Sequence, residues 1–349
     1  MNGIPTTFND GLPAYTVVGG ERCGRSGVSV VLLSCRELTD RESLYHSLKQ
    51  AGFDWILSIE TRIGARIETK TDEKSETEYE TKSFVPDIGQ LSAAYPFVRF
   101  VLLSEPLSAG SQINLAATEL REDCFLVLRK DCVLDPSDNG AAADRAVTET
   151  LAGEARDLCA VPLMFDKRRT ALPIQPLFES SKGARSLRTR LAVPAAGAWH
   201  LFPFEGIGVY NRELFVRLGG YDNSIEDEYW QLMDFGLRAY TWGERIRSTD
   251  AVKIVRTAGL AQDDIVIGES YRRFYLKNLS PVYRADAAYL PLRRFPFFLL
   301  KSGVPFLDAW HEFSIARVWV SLNAYRWKCD VRALLQNWDK EKSKGKNAP

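Results

Sequence analysis

The chain has 349 residues, more than one ordinary domain of roughly 100–200 residues, so it reads as one large domain with an extension. Hydrophobic residues make up 45% and charged residues 26%, which excludes wholesale disorder and the fibrous classes. Lys and Arg number 45 and Asp and Glu 45, so no net charge draws the whole chain toward nucleic acid.

That balance conceals an asymmetry. Residues 284–349 hold 12 basic and 6 acidic side chains, a net of +6, which leaves −6 on the remainder. A solvated tail explains this, and so does a surface facing an anionic partner or membrane.

Residues 1–27 are rich in glycine and turn formers and read as an N-terminal lead-in. The run Gly19, Gly20, Gly24, Gly27 precedes a strand, whereas a phosphate-cradling loop follows one. The start, MNGIPTTFNDG, has neither the basic nor the apolar region of a signal peptide.

Residues 28–34, VSVVLLS, form a nearly continuous apolar run, the pattern of a strand buried on both faces. Residues 38–51 place Leu38, Leu44, Tyr45 and Leu48 at helical spacing, closed by Gly52. A second strand covers 55–59 and ends at Glu60. Residues 67–82, IETKTDEKSETEYETK, cannot bury a face and predict an exposed ribbon or mobile insertion. A strand over 97–103, a helix over 111–122 and a strand over 125–128 follow. This alternation predicts an open, doubly wound α/β sheet.

Residues 160–205 are Pro-rich and read as irregular. A strand at 206–210, a short helix within 213–222 ending at Gly219 and Gly220, and a longer helix at 227–240 come next. The last 65 or so residues are aromatic and helical, with Ile315, Val318, Trp319, Leu322, Tyr325 and Cys329 along one stripe. No apolar stretch approaches the roughly 18 residues of a membrane span. The six cysteines form no CxxC pair and no metal-ligand spacing. A reducing, cytoplasmic location is expected.

Ligands of an open α/β sheet bind at the carboxyl ends of its strands. The residues there are Ser34, Glu60, Ser104, Glu105 and the segment 129–136, RKDCVLDP. An acidic cluster after an apolar strand suits a nucleoside diphosphate held with Mg²⁺ or Mn²⁺.

At these residues the chain resembles the family 2 glycosyltransferases, which have the GT-A fold. VSVVLLS at 28–34 resembles the family's first strand. Glu60 after WILSI occupies the place of an acidic residue that contacts the nucleoside. GSQIN at 110–114 resembles the segment before the metal strand, and FLVLRKDCVLDP at 125–136 resembles that strand with its Asp-x-Asp motif. GIGVYNRELFVRLGGYD at 206–222 and QLMDFGLRAYTWGERI at 231–246 resemble the acceptor-side stretch and the helix that follows it. The resemblance spans residues 28–250. It implies a GT-A-like doubly wound mixed sheet over residues 28–265 and a basic, aromatic helical extension over 266–349.

Two positions depart from the family pattern. Arg129 stands where the first Asp of the metal motif is expected, leaving Asp131 as the remaining metal ligand. Gln231 and Leu232 stand where a Glu-Asp pair supplies the base, with Asp234 one turn away. A guanidinium can grip phosphate oxygens bidentately, so Arg129 could replace part of a divalent ion's task. The resemblance implies Mn²⁺ or Mg²⁺ at Asp131, and the cation at 129 argues against ordinary metal dependence.

The expectation is therefore an inverting transferase that uses a nucleoside-diphosphate sugar and a glycan or lipid-linked acceptor. Ser34 and Glu60 would line the nucleoside, and Arg129 and Asp131 the diphosphate. The base would come from Glu226, Asp227 and Glu228 or from Asp234, with Asp227 first. Trp230 could stack on a sugar, and His200 could reach a phosphate or metal. Arg293 and Arg294, beside Phe295, Phe297 and Phe298, could touch an anionic membrane. The alternative is a GT-A-like binding or assembly protein that has lost its chemistry.

Overall fold

A computed structural model describes residues 14–20, 27–34, 41–61, 65–66, 81–82, 88–135, 144–145, 148, 150, 156–178, 189–257, 259–260, 266–336 and 338. The first half alternates strand and helix: β1 (Tyr15–Gly19), β2 (Val28–Leu33), α1 (Arg41–Gln50), β3 (Ile56–Thr61), β4 (Ala65–Arg66), β5 (Thr81–Lys82), α2 (Ile88–Ala94), β6 (Val98–Leu103), α3 (Ala109–Glu119), β7 (Cys124–Arg129) and β8 (Cys132–Leu134). The second half begins with β9 (Cys159–Phe165), β10 (Gln175–Phe178), β11 (Thr189–Ala192), β12 (Gly208–Asn211), α4 (Arg212–Leu218), α5 (Glu228–Thr241) and β13 (Ile246–Arg256). It closes with α6 (Glu269–Phe274), β14 (Val282–Arg284), β15 (Ala287–Tyr289), α7 (Phe295–Ser302) and α8 (Phe306–Leu322).

Nine strands make one mixed sheet in the order β1-β6-β3-β2-β7-β12-β9-β13-β8. β2 sits in the middle with all six residues buried, paired in parallel to β3 and β7. That double coverage is why its sequence is apolar without alternation. β6 continues the parallel half, and β1 closes its edge in antiparallel pairing. On the other side β12 runs antiparallel to both β7 and β9. The predicted α/β class, with a mixed sheet and C-terminal helices, is the one observed.

Two expectations need correction. The lead-in of residues 1–27 contributes β1, whose Val17 and Val18 pack on the core. The stretch 160–205, expected to be irregular, opens with β9, a strand inside the main sheet. Pro162 hid it, because a proline cannot donate to a central ladder. Here β13 accommodates the proline by a register shift: Thr249 pairs with Pro162 and Lys253 already with Leu163. The short helix expected to end at Gly219 and Gly220 does so: α4 stops at Leu218, with Gly219 in the left-handed conformation as its cap. Most of the charged segment 67–82 lies outside the described residues, apart from the pairing of β4 with β5.

The extension is no separate body. Phe274, Ala288, Val320, Trp327, Val331 and Trp338 belong to the same core cluster as the sheet. A smaller cluster of Leu276, Leu290, Phe295, Phe298, Ala309, Phe313 and Ala316 joins α7 and α8. Cys124, Cys132 and Cys159 are free thiols inside the core, while Cys23 and Cys35 lie outside the described residues. No helix among the described residues is long and apolar enough to cross a membrane.

Candidate functional site

The parallel strands β2, β3 and β7 end side by side. Leu33 pairs with Arg129 and Leu32 with Ser58, so Ser34, Glu60 and Arg129 reach the same edge. The backbone N–H of Ser34 donates to Gln112 Oε1 at 2.8 Å, and its hydroxyl meets Thr61 Oγ1 at 2.9 Å. Gln112 is delivered by the first turn of α3, whose amino end is capped by Ser108. At Gly110 a Cβ would stand 2.4 Å from Gln231 Oε1, so only glycine lets α3 approach α5 this closely.

Glu60 is buried and held by cations. Lys130 Nζ lies 2.7 Å from its Oε1 and Arg41 3.2 Å from its Oε2, while Ser58 Oγ donates to Oε1. Lys130 also reaches the Ile59 carbonyl. Ser34 and Glu60 thus come to the same strand edge, with the carboxylate fixed in position.

Next to them runs a ladder of alternating charge. Glu228 Oε1 lies 2.5 Å from Arg129, Arg129 Nε lies 3.4 Å from Glu205, Glu205 Oε1 lies 2.8 Å from Arg256, and Arg256 Nε lies 3.0 Å from Asp131. Sheet topology creates this meeting. Gly208 at the start of β12 pairs with Val127, which brings Glu205 to the end of β7. Arg256 pairs with Cys132 across β13 and β8, beside Asp131. Burial would lower the Arg129 pKa, but Glu228 and Glu205 outweigh it and raise it. Arg256 is raised in the same way, burial opposing and Glu205 prevailing. Both guanidiniums are permanent cations.

Of these partners, Arg256 and Glu205 escaped the sequence reading. Glu205 is a lone charge among apolar neighbours in FPFEGIG, and Arg256 follows an apolar pair in KIVR, and that was the available signal. Glu205 also carries a positive φ of 50°.

The carboxylates around α5 have different surroundings. Asp227 is the N-cap, its Oδ1 accepting from the Trp230 N–H, while its own N–H donates to Ser270. Glu226 is exposed and Glu228 is half-buried against Arg129. Asp234 has no exposure: Arg238 Nε lies 2.7 Å away, Asn278 Nδ2 donates at 2.7 Å, and Lys277 Nζ stands at 3.5 Å. Arg238 in turn donates to the carbonyls of Leu218, the last residue of α4, and Gly220 just after it. The structure brings Glu228 to Arg129 and places Asp234 in the core.

Trp230 is buried against Tyr271 and Phe274, with its indole N–H donating to the Val266 carbonyl, so it is a packing residue and offers no face to a sugar. His46 packs edge-on against Tyr95. His200 is fully buried and neither ring nitrogen has a hydrogen-bond partner. Burial pushes it down to about 3, and it does not reach the ladder's carboxylates through any hydrogen bond.

These residues do not fit a divalent cation. Asp131 faces Arg256, Glu205 lies between two guanidiniums, and among the described residues no three His, Cys, Asp or Glu side chains converge to hold a metal. A divalent ion would meet two fixed positive charges at hydrogen-bond distance from its ligands.

A cavity of about 230 Å³ opens between the segment after α4, α6 and α8, lined by residues including Asp222, Ser224, Arg273, Lys277, His311 and Trp319. Lys277 spans its floor, 2.5 Å from Asp222 and over the Trp319 ring at 4.2 Å. Burial would raise the Asp222 carboxyl, but the Lys277 ammonium overrides it and holds it well below the usual carboxylate range.

No known protein family and no curated protein sequence matches the chain. Solved structures do. A structure of GalNAc-T7 with UDP, GalNAc and Mn²⁺ superposes over 90% of this chain at 12% identity and a TM-score of 0.51. The chain spans 57% of the GalNAc-T7 length. Structures of S. aureus TarS, one of them in complex with UDP-GlcNAc, match 83% of the chain at 12–13% identity with TM-scores of 0.40 and 0.43. Strand order, the helices between the strands and the likeness to GalNAc-T7 agree: the chain has the α/β fold of the GT-A glycosyltransferases.

Proposed function

We propose that the chain is a glycosyltransferase that moves a sugar from a nucleoside-diphosphate donor to a hydroxyl of a glycan or lipid-linked acceptor, without a divalent metal. Residues 28–265, together with β1, form the transferase body, and residues 266–349 form the extension. The observation that carries the reading is the ladder Glu228–Arg129–Glu205–Arg256–Asp131 at the edge where such a fold takes its ligands. Arg129, at the open end, is the guanidinium that can meet a leaving diphosphate once Glu228 moves aside, while Arg256 stays paired with Glu205 and Asp131 and holds them in place.

Glu228 closes the open end of the ladder, with its side chain 34% exposed. A donor diphosphate competes with it for Arg129, and the displaced carboxylate swings toward solvent. Ser34 and Glu60 face the nucleoside from the ends of β2 and β3.

Inverting transfer attacks the anomeric carbon from the side opposite the leaving group, so the base stands away from the cations that hold the diphosphate. Glu228 lies on the leaving-group side. Asp227, oriented as the cap of α5, is the proposed base, with Glu226 exposed beside it. The acceptor oxygen bonds to the anomeric carbon as the bond to phosphate breaks. The electron pair leaves with the nucleoside diphosphate, and the hydroxyl proton passes to the carboxylate. Asp234 acts as a positioning group that, paired with Arg238 on the same helix, ties α5 to Asn278 and Lys277.

Thermal shift with a panel of sugar nucleotides, each measured with Mn²⁺ and with chelator, tests this. One sugar nucleotide should stabilise the protein equally in both conditions. Stabilisation lost on chelation overturns the metal-free assignment, and no response to any donor leaves the binding or assembly reading in its place.

A further inference from the structure

Helix α8 is apolar on both sides. Its inner face, Ala309, Phe313, Ala316 and Val320, is buried. Its outer face carries Leu307, Trp310, Ile315, Val318 and Leu322, between 44% and 76% exposed. Of the stripe read from the sequence as one apolar face, Ile315, Val318, Leu322 and Tyr325 point away from the core, while Trp319 packs against it. α7 adds Phe297 at 50% and Leu300 at 85% exposure. A helix apolar all round is normally covered all round, and grouped exposed apolar side chains mark an interaction surface.

The charges around this face identify the occupant. Between residues 281 and 336 the exposed bases are Arg284, Arg293, Lys301, Arg317, Lys328 and Arg332, against Asp286 and Asp308 as exposed acids. Three of the bases adjoin exposed apolar residues: Arg293 beside Leu292, Lys301 beside Leu300, and Arg317 beside Val318. Lys301 already lies along Phe297, its ammonium 4.5 Å from the ring. Long basic side chains with apolar stems and an outward charge suit the boundary between acyl chains and anionic headgroups. Trp310 has the amphipathic ring favoured at that level.

We propose that α7 and α8 dock flat on an anionic lipid bilayer, with Phe297, Leu300, Leu307, Trp310 and Val318 in the acyl boundary and Arg293, Lys301 and Arg317 at the phosphates. The attachment is peripheral. It places Ile315, which also lines the 230 Å³ cavity, at the membrane surface, so that the cavity opens at headgroup level.

The test is flotation of the full chain with phosphatidylcholine vesicles, with and without phosphatidylglycerol, using the double variant Leu300→Glu/Leu307→Glu as control. Both leucines are more than three-quarters exposed, so the variant should keep its melting temperature. The wild type should float with the anionic vesicles, less so at high salt, and the variant should partition roughly a hundredfold more weakly. Failure of the wild type to float, equal flotation of the variant, or a dimer in light scattering that the same substitutions dissociate would each overturn the proposal. None of these readouts depends on sugar transfer.

Discussion

Arg129 and Glu228 pull against each other, and the two substitutions separate what each does. Arg129→Ala leaves Glu205 and Glu228 without their shared cation and should cost about 1–3 kcal/mol in urea unfolding, together with donor-induced thermal stabilisation. Glu228→Gln keeps the shape and removes the competing charge. It should bind the donor several-fold more tightly by calorimetry, and weaker binding would show that the carboxylate does not block the diphosphate. Asp234→Ala leaves the buried Arg238 guanidinium without its carboxylate, Lys277 keeping Asp222, and should cost about 3–5 kcal/mol, seen as a large fall in urea midpoint. At this scale the sequence marked Arg129, Asp131 and the acids at 226–228. It could not show that Arg256 and Glu205 complete the ladder, because those residues lie 127 and 76 positions away from Arg129 and meet it only through strand pairing.

Among elements, α5 shows how a cap and a candidate base can share one residue. Asp227→Asn keeps an oxygen for the Trp230 N–H and removes the proton acceptor, so folding should hold while turnover collapses. Asp227→Ala loses the cap as well, at about 1 kcal/mol of stability. Full turnover in the Asn variant would remove Asp227 as base. Strands β2, β3, β6 and β7 and helices α1, α3 and α5 were legible within a few residues, since local apolar spacing defines them. β9 and β13 were not. Pro162 argued against a central strand, and only the bulge in its partner made the pairing tolerable. The outward stripe of α8 was likewise visible as a stripe, but its direction was not, because α8 presents apolar residues on both faces.

For the whole molecule, acid stability reports on His200. Its folded pKa is pushed down to about 3 by burial, against 6.5 in its ordinary state. The unfolded chain therefore takes a proton first as pH falls. His200 leaves stability intact above about pH 6.5 and erodes it between 6.5 and 3, by about 1.4 kcal/mol per pH unit. Urea midpoints across that window should fall less steeply in His200→Gln, and an unchanged slope would assign the acid sensitivity elsewhere.

The sequence by itself determined the α/β class, the strand edge that carries the proposed site and the basic, aromatic character of the C-terminal region, because each follows from the spacing of neighbouring residues. Tertiary structure alone decided which charges meet, that Asp234 and Trp230 are interior, and that the apolar face of α8 is turned outward. Those outcomes depend on pairings between distant strands and helices, where burial and a few ångströms of approach decide whether a side chain serves the core or a ligand.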